Sequence, residues 1–460
     1  MALSFYHDTV YRSKHGPILP EKDWELKIFV PKLRELAKKY NIKYDPNNPV
    51  PLDDELADRV YQAGLEFYEA VGAYCLDNNR VVKFSRDEIE ERVRFAPSEV
   101  VFGEGNDRRV VRHRAIEDPT DPPLWISACA ASVTQDMFFP IIETYLQEPL
   151  NDMQNCPTIR VIDGIEIGVG DPTEFFGATR IHQMWDDARR RVGRPGFPVM
   201  NATVLGVSAY GLLGAAQERF GLRPSDGYYF AAVSELKFDM DRLIKSAYLL
   251  DWNANLGLLY SPILGGILGG AETTAIANVA YHFMGATVSW AKYFVSFPIH
   301  FTGSNTTHRP TLWAINASLQ ALARNTRFVS WAQMFSRFGP ATEMLPYEAA
   351  AWALGVIASG ANPTFVAFAS GGKENYVNPL DSKLIAEICL AAVGMKRHEA
   401  NELVNKFLSL YEDKLDGPQD TGKTFIELYD VNMRKPKKET VDLYLRKKDE
   451  LAKLGIPFRS

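Results

Sequence analysis

The chain has 460 residues, 46% hydrophobic and 23% charged, which gives it ample apolar content for a large buried core. A net charge of -6 and a pI near 5.9 weigh against a general nucleic-acid binder, which is usually basic. The four cysteines, Cys75, Cys129, Cys156 and Cys389, form no CxxC pair, so neither a zinc ribbon nor a disulfide framework is suggested, and a reducing cytoplasm fits.

The first fourteen residues are polar and lack the apolar centre of a signal peptide. Residues 1–122 read as an N-terminal helical region packing on a larger domain, with amphipathic stretches at 23–40 and 53–74. The proline-rich segment 117–123 closes that region as a rigid linker. Within 123–422, β-rich runs at 124–128, 159–167, 197–205, 228–233, 256–260, 293–301, 328–335 and 364–369 alternate with helical stretches. These helices include 178–191, 239–252, 272–290 and 309–324. Eight strands with intervening helices predict an α/β fold, a (β/α)8 TIM barrel, with a doubly wound open sheet as the alternative. The most apolar long stretch, 255–280, is broken by Pro262, four glycines and Glu272. It reads as strand, loop and helix rather than a membrane span. Residues 423–460 are charged and predict a helical tail.

Several motifs occur in one order. They are Glu235-Leu236-Lys237, the pairs Gly265-Gly266 and Gly269-Gly270, Glu272-Thr273-Thr274, His282, the 298–300 stretch, Gly303-Ser304-Asn305-Thr306 and Gly339 to Met344. Gly422-Lys423-Thr424-Phe425 and Tyr429-Asp430-Val431 complete the set. With these motifs the chain resembles the monomethylamine:corrinoid methyltransferase family almost end to end. The resemblance implies a barrel that demethylates a small donor and passes the methyl group to a separate corrinoid protein docked at the barrel mouth. The cobalamin would be carried by that partner and not by this chain, and the resemblance also implies a homo-oligomer. In that family the position matching Met200 holds pyrrolysine, and a thioether cannot form the imine adduct of a pyrroline ring. Two pocket carboxylates become Tyr229 and Leu259, a pocket tyrosine becomes Phe335, and Gln333 is kept.

Fewer anions and more aromatic surface suit a cation less well. The leading expectation is therefore O-demethylation of an aromatic methyl ether, methoxybenzoate-like, with transfer of the methyl group to Co(I). The ether oxygen needs an acid or a Lewis acid, and Tyr228, Tyr229, Tyr260, His300 and Glu343 are the candidate acids. Glu235 is read evenly as catalytic or as part of a structural ion network with Lys237. Gln333 is a polar anchor. Met200, Asn201, Tyr228, Leu259, Tyr260, Trp331, Phe335 and Arg337 are the candidate substrate-binding residues, and Arg337 or Arg309 would pair with a ring carboxylate. Tyr228 and Tyr229 point to opposite faces of a strand, so at most one of them faces the axis. No metal is expected: zinc would need His282, His300, His308 and acids to assemble in space, without compact ligand spacing. The Gly265–Gly270 loop lacks a phosphate-loop ending; it reads either as a close approach to the corrinoid or as a flexible turn. The alternative function is a methyltransferase for a quaternary or other methylated amine such as a betaine, bound by aromatic faces. A non-catalytic relic that only binds the corrinoid protein is a third reading, and residual methylamine activity a fourth.

Overall fold

The computed structural model describes residues 1–127, 131–202, 208–368 and 370–459, with the backbone alone at 201, 202, 220 and 365. Its centre is one parallel sheet. Seven strands are in it: β1 Gln154–Asn155, β2 Val199–Ala202, β3 Gly227–Ala231, β4 Asn255–Tyr260, β5 Tyr293–Ser296, β6 Ser330–Ser336 and β7 Asn362–Phe368. They are paired in chain order, every neighbour parallel to the next. A parallel bridge between Trp125 and Met153 adds the 124–127 segment beside β1. The strands are buried on both faces, as their near-continuous apolar runs require.

Parallel neighbours need crossovers, and helices supply them. Pro172–Arg191, Met240–Asp251, Ala271–Met284, Arg309–Asn325, Leu345–Ala358 and Pro379–Ala391 form an outer layer. Asp171, Asp239 and Asn378 cap three of them by accepting from first-turn N–H groups. Alternation splits each strand between two cores. Leu256, Leu258 and Tyr260 join the large core under the helices, whereas Leu259 joins a smaller inner cluster. That cluster draws Trp125 and Met153 from one side of the sheet, Met200, Tyr229, Tyr293, Val295 and Trp331 from its middle, and Ala367 from the far edge. Trp125 and Trp331 lie 5.0 Å apart between ring centroids, so the sheet is curled strongly about these side chains.

The N-terminal region holds helices, Asp54–Val71 among them, but also a β-hairpin that the helical expectation did not include. Its strands, Glu99–Phe102 and Arg109–Arg112, pair antiparallel. Val100, Phe102 and Val111 enter the inner cluster. The hairpin backbone accepts from Asn255 and Asn362, at the starts of β4 and β7. It therefore plugs the inner cluster at the N-terminal ends of the strands. Burying each apolar side chain contributes about 1.5–3 kcal/mol.

The predicted strand 159–167 is instead a small hairpin, Val161–Ile162 with Ile165–Glu166, and the sheet strand in this part of the chain is β1. The predicted strands 124–128, 197–205 and 364–369 run past the described residues at 128, 203–205 and 369. The tail contains the helix Lys438–Leu454.

A candidate donor site at the C-terminal ends of the strands

In parallel α/β folds of this kind, chemistry collects at the C-terminal ends of the strands. From the plug upward, the inner cluster is first packed and then polar. In the lower part Met200 lies over Gly227: a Cβ at 227 would overlap the Met200 sulfur and terminal methyl. Tyr293 lies over Gly257 in the same way, and its hydroxyl donates to the Tyr228 carbonyl at 3.1 Å. Trp331 packs on Phe102, Trp125 and Tyr293, with ring centroids 5.0–5.6 Å apart. Tyr229 packs on Trp125, and its hydroxyl accepts from Asn155 at 2.7 Å.

Higher up, Gln333 stands between Trp331 and Phe335 on the inward face of β6, since residues two apart share a face. Its Oε1 is buried without a partner, as is the Trp331 indole N–H. Half-buried Phe335 and Leu259 border the cluster, and Phe335 stacks on Phe297 at 5.1 Å. Met200, Tyr229, Leu259, Gln333, Trp331 and Phe335 are thus brought to one interior. Asn201 pairs with Tyr228 in the ladder; its side chain is outside the description.

Five candidates stand elsewhere. Tyr228 faces the helices: its ring meets Trp252 and its hydroxyl donates to the Arg223 carbonyl. Tyr260 also faces outward, bonded to His282 at 2.5 Å and stacked on Tyr281. Both belong to the outward set of strand alternation, and burial raises both phenols far above their ordinary range. Neither is placed to act as an acid inside the sheet. Glu343 is 56% exposed and pairs with Arg446 and Lys447 of the tail helix; Arg446 and then Lys447 hold it down at about 2. Glu235 is buried, accepting from Tyr281 and from the Ile263 N–H, and burial raises it to about 7. Its neighbour Lys237 pairs with Glu21 and Glu25 of the N-terminal region, so this corner ties that region to the sheet. Arg309 is bound by Glu412 and Asn405 and offers no free fork to a ligand.

His300 lies at the rim, stacked on His308 with centroids 4.1 Å apart. Burial lowers His308 to about 4, and His300 pushes the same way. Arg337, just past β6, donates to the Gly417 carbonyl and makes no ion pair among the described residues. His282 lies in the helix layer, apart from the other two histidines. Among the described residues no group of three His, Cys, Asp or Glu side chains could hold a metal ion. No helix among them is long and apolar enough to cross a membrane. The Gly265–Gly270 loop closes on itself through Gly265 N–H to the Gly269 carbonyl.

Sequence reasoning passed over Phe297, Asn305, Tyr293 and Trp125. Asn305 had two signals: its place in the Gly303-Ser304-Asn305-Thr306 motif, and its position four residues before the helix that begins at Arg309, where Asn is a frequent turn residue. The three aromatics had none, because separate strands must meet to bring them together.

A curled parallel sheet, plugged at one end and carrying unpartnered polar groups toward the other, is a scaffold for a small-molecule enzyme. The chain belongs to the monomethylamine methyltransferase MtmB family, whose model matches residues 4–456. It is 29% identical to monomethylamine methyltransferase MtmB2 of Methanosarcina acetivorans over 456 residues, 98% of each chain. It is likewise 29% identical over 98% of each chain to MtmB3 of Methanosarcina barkeri. The crystal structure of the Methanosarcina barkeri monomethylamine methyltransferase superposes with a TM-score of 0.93 at 27% identity, covering 99% of this chain and 98% of that one. A hydroxylamine complex of MtmB gives the same values.

Proposed function

We propose that the protein is a methyltransferase that moves a methyl group from a methylated amine, quaternary in the form that suits the site best, to the Co(I) of a partner corrinoid protein. Family membership supports methyl transfer from an amine. The aromatic surface of the interior carries the choice among amines: Trp125, Tyr229, Tyr293, Trp331 and Phe335 gather there, while Gln333 adds an unpartnered acceptor. Ring faces attract a quaternary ammonium without a counter-charge. Met200 stands where the resemblance puts pyrrolysine, so a primary amine would lack its covalent anchor.

The chemistry fits the same side chains. In a quaternary donor the C–N bond breaks with its electron pair staying on nitrogen, and the cobalt pair forms the new Co–C bond; no proton is required. An ether would need a proton at oxygen, and of the acids proposed for it only Tyr229 lies in the inner cluster. The aromatic surface that first suggested an ether serves a quaternary cation as well, and membership of a monomethylamine methyltransferase family favours the amine. We also read the curl of the sheet, with the 124–127 segment bridged to Met153, as an eight-stranded closed barrel.

Methyl-labelled tetramethylammonium, incubated with the protein and a reduced corrinoid protein, should yield labelled methyl-cobalt and trimethylamine in equal amounts. Label transfer from a methoxybenzoate with release of a phenol, and none from any amine, would replace this reading with the ether one.

A further inference from the structure

The loop after β5 and the end of β6 form a second polar feature at the rim. Asn305 is fully buried. Its side-chain oxygen accepts from the Thr307 N–H at 3.1 Å, the Thr307 hydroxyl at 3.0 Å and His308 Nδ1 at 2.9 Å. Three donors on Oδ1 fix the amide orientation, so Nδ2 is the free end, and it has no partner. The Arg337 Nε is likewise buried and unpartnered. Both side chains approach Gly303: a Cβ there would lie 3.2 Å from Asn305 Nδ2, 3.5 Å from the Leu415 carbonyl oxygen and 3.7 Å from Arg337 Nη1. Gly303 has φ +80°, a conformation that also disfavours any side chain. The helix Arg309–Asn325 begins at this corner and adds its positive end. Two carboxylates are near: Asp416, 3.6 Å from His308 Nε2, and buried Glu348, which accepts from the Arg337 backbone N–H at 2.7 Å; neither forms an ion pair with the guanidinium among the described residues. A buried donor without a partner is a place where a ligand acceptor can bind; here two side chains that each carry one meet at Gly303.

We propose that Arg337 and Asn305 bind the carboxylate of the methyl donor, which makes that donor a zwitterion, a quaternary ammonium joined to a carboxylate by a short link. This rests on the methylated-amine reading above and narrows it. The spacing supports one molecule across both features. Thr306 bonds the Phe335 backbone through its N–H and hydroxyl, so the loop is pinned to the strand whose Phe335 ring borders the interior. Arg337 follows two residues on, about 7 Å in extended backbone, and its long side chain can reach back across part of that distance. The ammonium would rest on Phe297, Phe335 and Leu259. The carboxylate would take the two free donors, the guanidinium giving a charge-assisted bond. His308 acts as a positioning residue, because its Nδ1–H holds the Asn305 amide.

Calorimetric titration of the full-length protein with glycine betaine and with tetramethylammonium tests this directly. The proposal predicts that glycine betaine binds at least tenfold more tightly, that Arg337→Gln removes the difference while tetramethylammonium affinity moves less than twofold, and that Arg337→Lys restores part of it. Equal affinities in the unaltered protein, or a preference that survives Arg337→Gln, would overturn the carboxylate site and leave the amine reading standing. If neither compound binds, the quaternary-amine reading fails and the carboxylate site fails with it. Should Arg337→Gln weaken capture of the corrinoid protein and leave the betaine preference intact, the rim cation would belong to the partner, and the proposal would again be overturned.

Discussion

The lower interior and the upper rim lie along the same strands and differ in how tightly they are packed and bonded. Below, Met200 over Gly227 and Tyr293 over Gly257 fill space to contact and the tyrosine hydroxyls are bonded, with the Trp331 indole N–H the exception named above. Above, Gln333 Oε1, Asn305 Nδ2 and Arg337 Nε are buried with no partner. A protein able to satisfy its polar groups a few residues away has the means to do so here too, and leaving a buried polar group unmade costs about 1–3 kcal/mol. The contrast separates a floor that holds the fold from a roof that waits for a ligand.

Substitutions in the two zones should therefore act on different quantities. The largest stability effect is expected for Met200→Ala, which empties a fully buried site of the floor and should cost about 2–5 kcal/mol in chemical denaturation. Gly257→Ala should follow at about 1–3 kcal/mol, because the added methyl meets the Tyr293 ring. Gln333→Leu should reverse the pattern: unfolding free energy unchanged or higher, with kcat/KM for the amine donor down by about tenfold, a loss near 1.4 kcal/mol. A Gln333→Leu variant that unfolds easily and turns over normally would erase the distinction between floor and roof.

The pH dependence sharpens the comparison on a third group. Glu235 is raised to about 7 by burial, above its value of 4.5 in the unfolded chain. The folded state thus holds the proton more tightly, and the stability this gives, full below pH 4.5, is lost as pH rises toward 7. Glu235→Gln should flatten the fall in melting temperature between pH 5 and 7.5. An identical slope in the variant would assign the fall to Glu348 and Asp381, which burial raises in the same way. Glu343→Ala removes an exposed carboxylate, and the buried Lys447 that pairs with it keeps Glu450; it should be the mildest change, about 1 kcal/mol, with turnover within twofold.

The core strands were legible because parallel strands buried on both faces write themselves as short apolar runs: 228–233, 256–260 and 328–335 overlap β3, β4 and β6 closely. The same property hid the site. Where both faces are apolar, neither composition nor alternation says which face looks inward, so Tyr228 and Tyr260 read as well as Tyr229 and Leu259. The plugging hairpin escaped notice because its strands, Glu-Val-Val-Phe and Arg-Val-Val-Arg, are only four residues long and show no alternation. Glu343 looked catalytic within its motif; the tail helix that pairs with it lies a hundred residues away in sequence. Gln333 was recognisable as a kept polar residue in an apolar strand, but its missing partner is a property of the folded chain alone.

The central claim is methyl transfer from a methylated amine to cobalt, and Co(I) consumption tests it most directly. The protein and a reduced corrinoid protein would be mixed with quaternary amines, monomethylamine and methoxybenzoates in parallel, and the Co(I) absorbance followed. The account predicts rapid loss of Co(I) with a quaternary amine and negligible loss with monomethylamine or a methoxybenzoate. Fast methylation from monomethylamine or from the aryl ether, with none from quaternary amines, would contradict it.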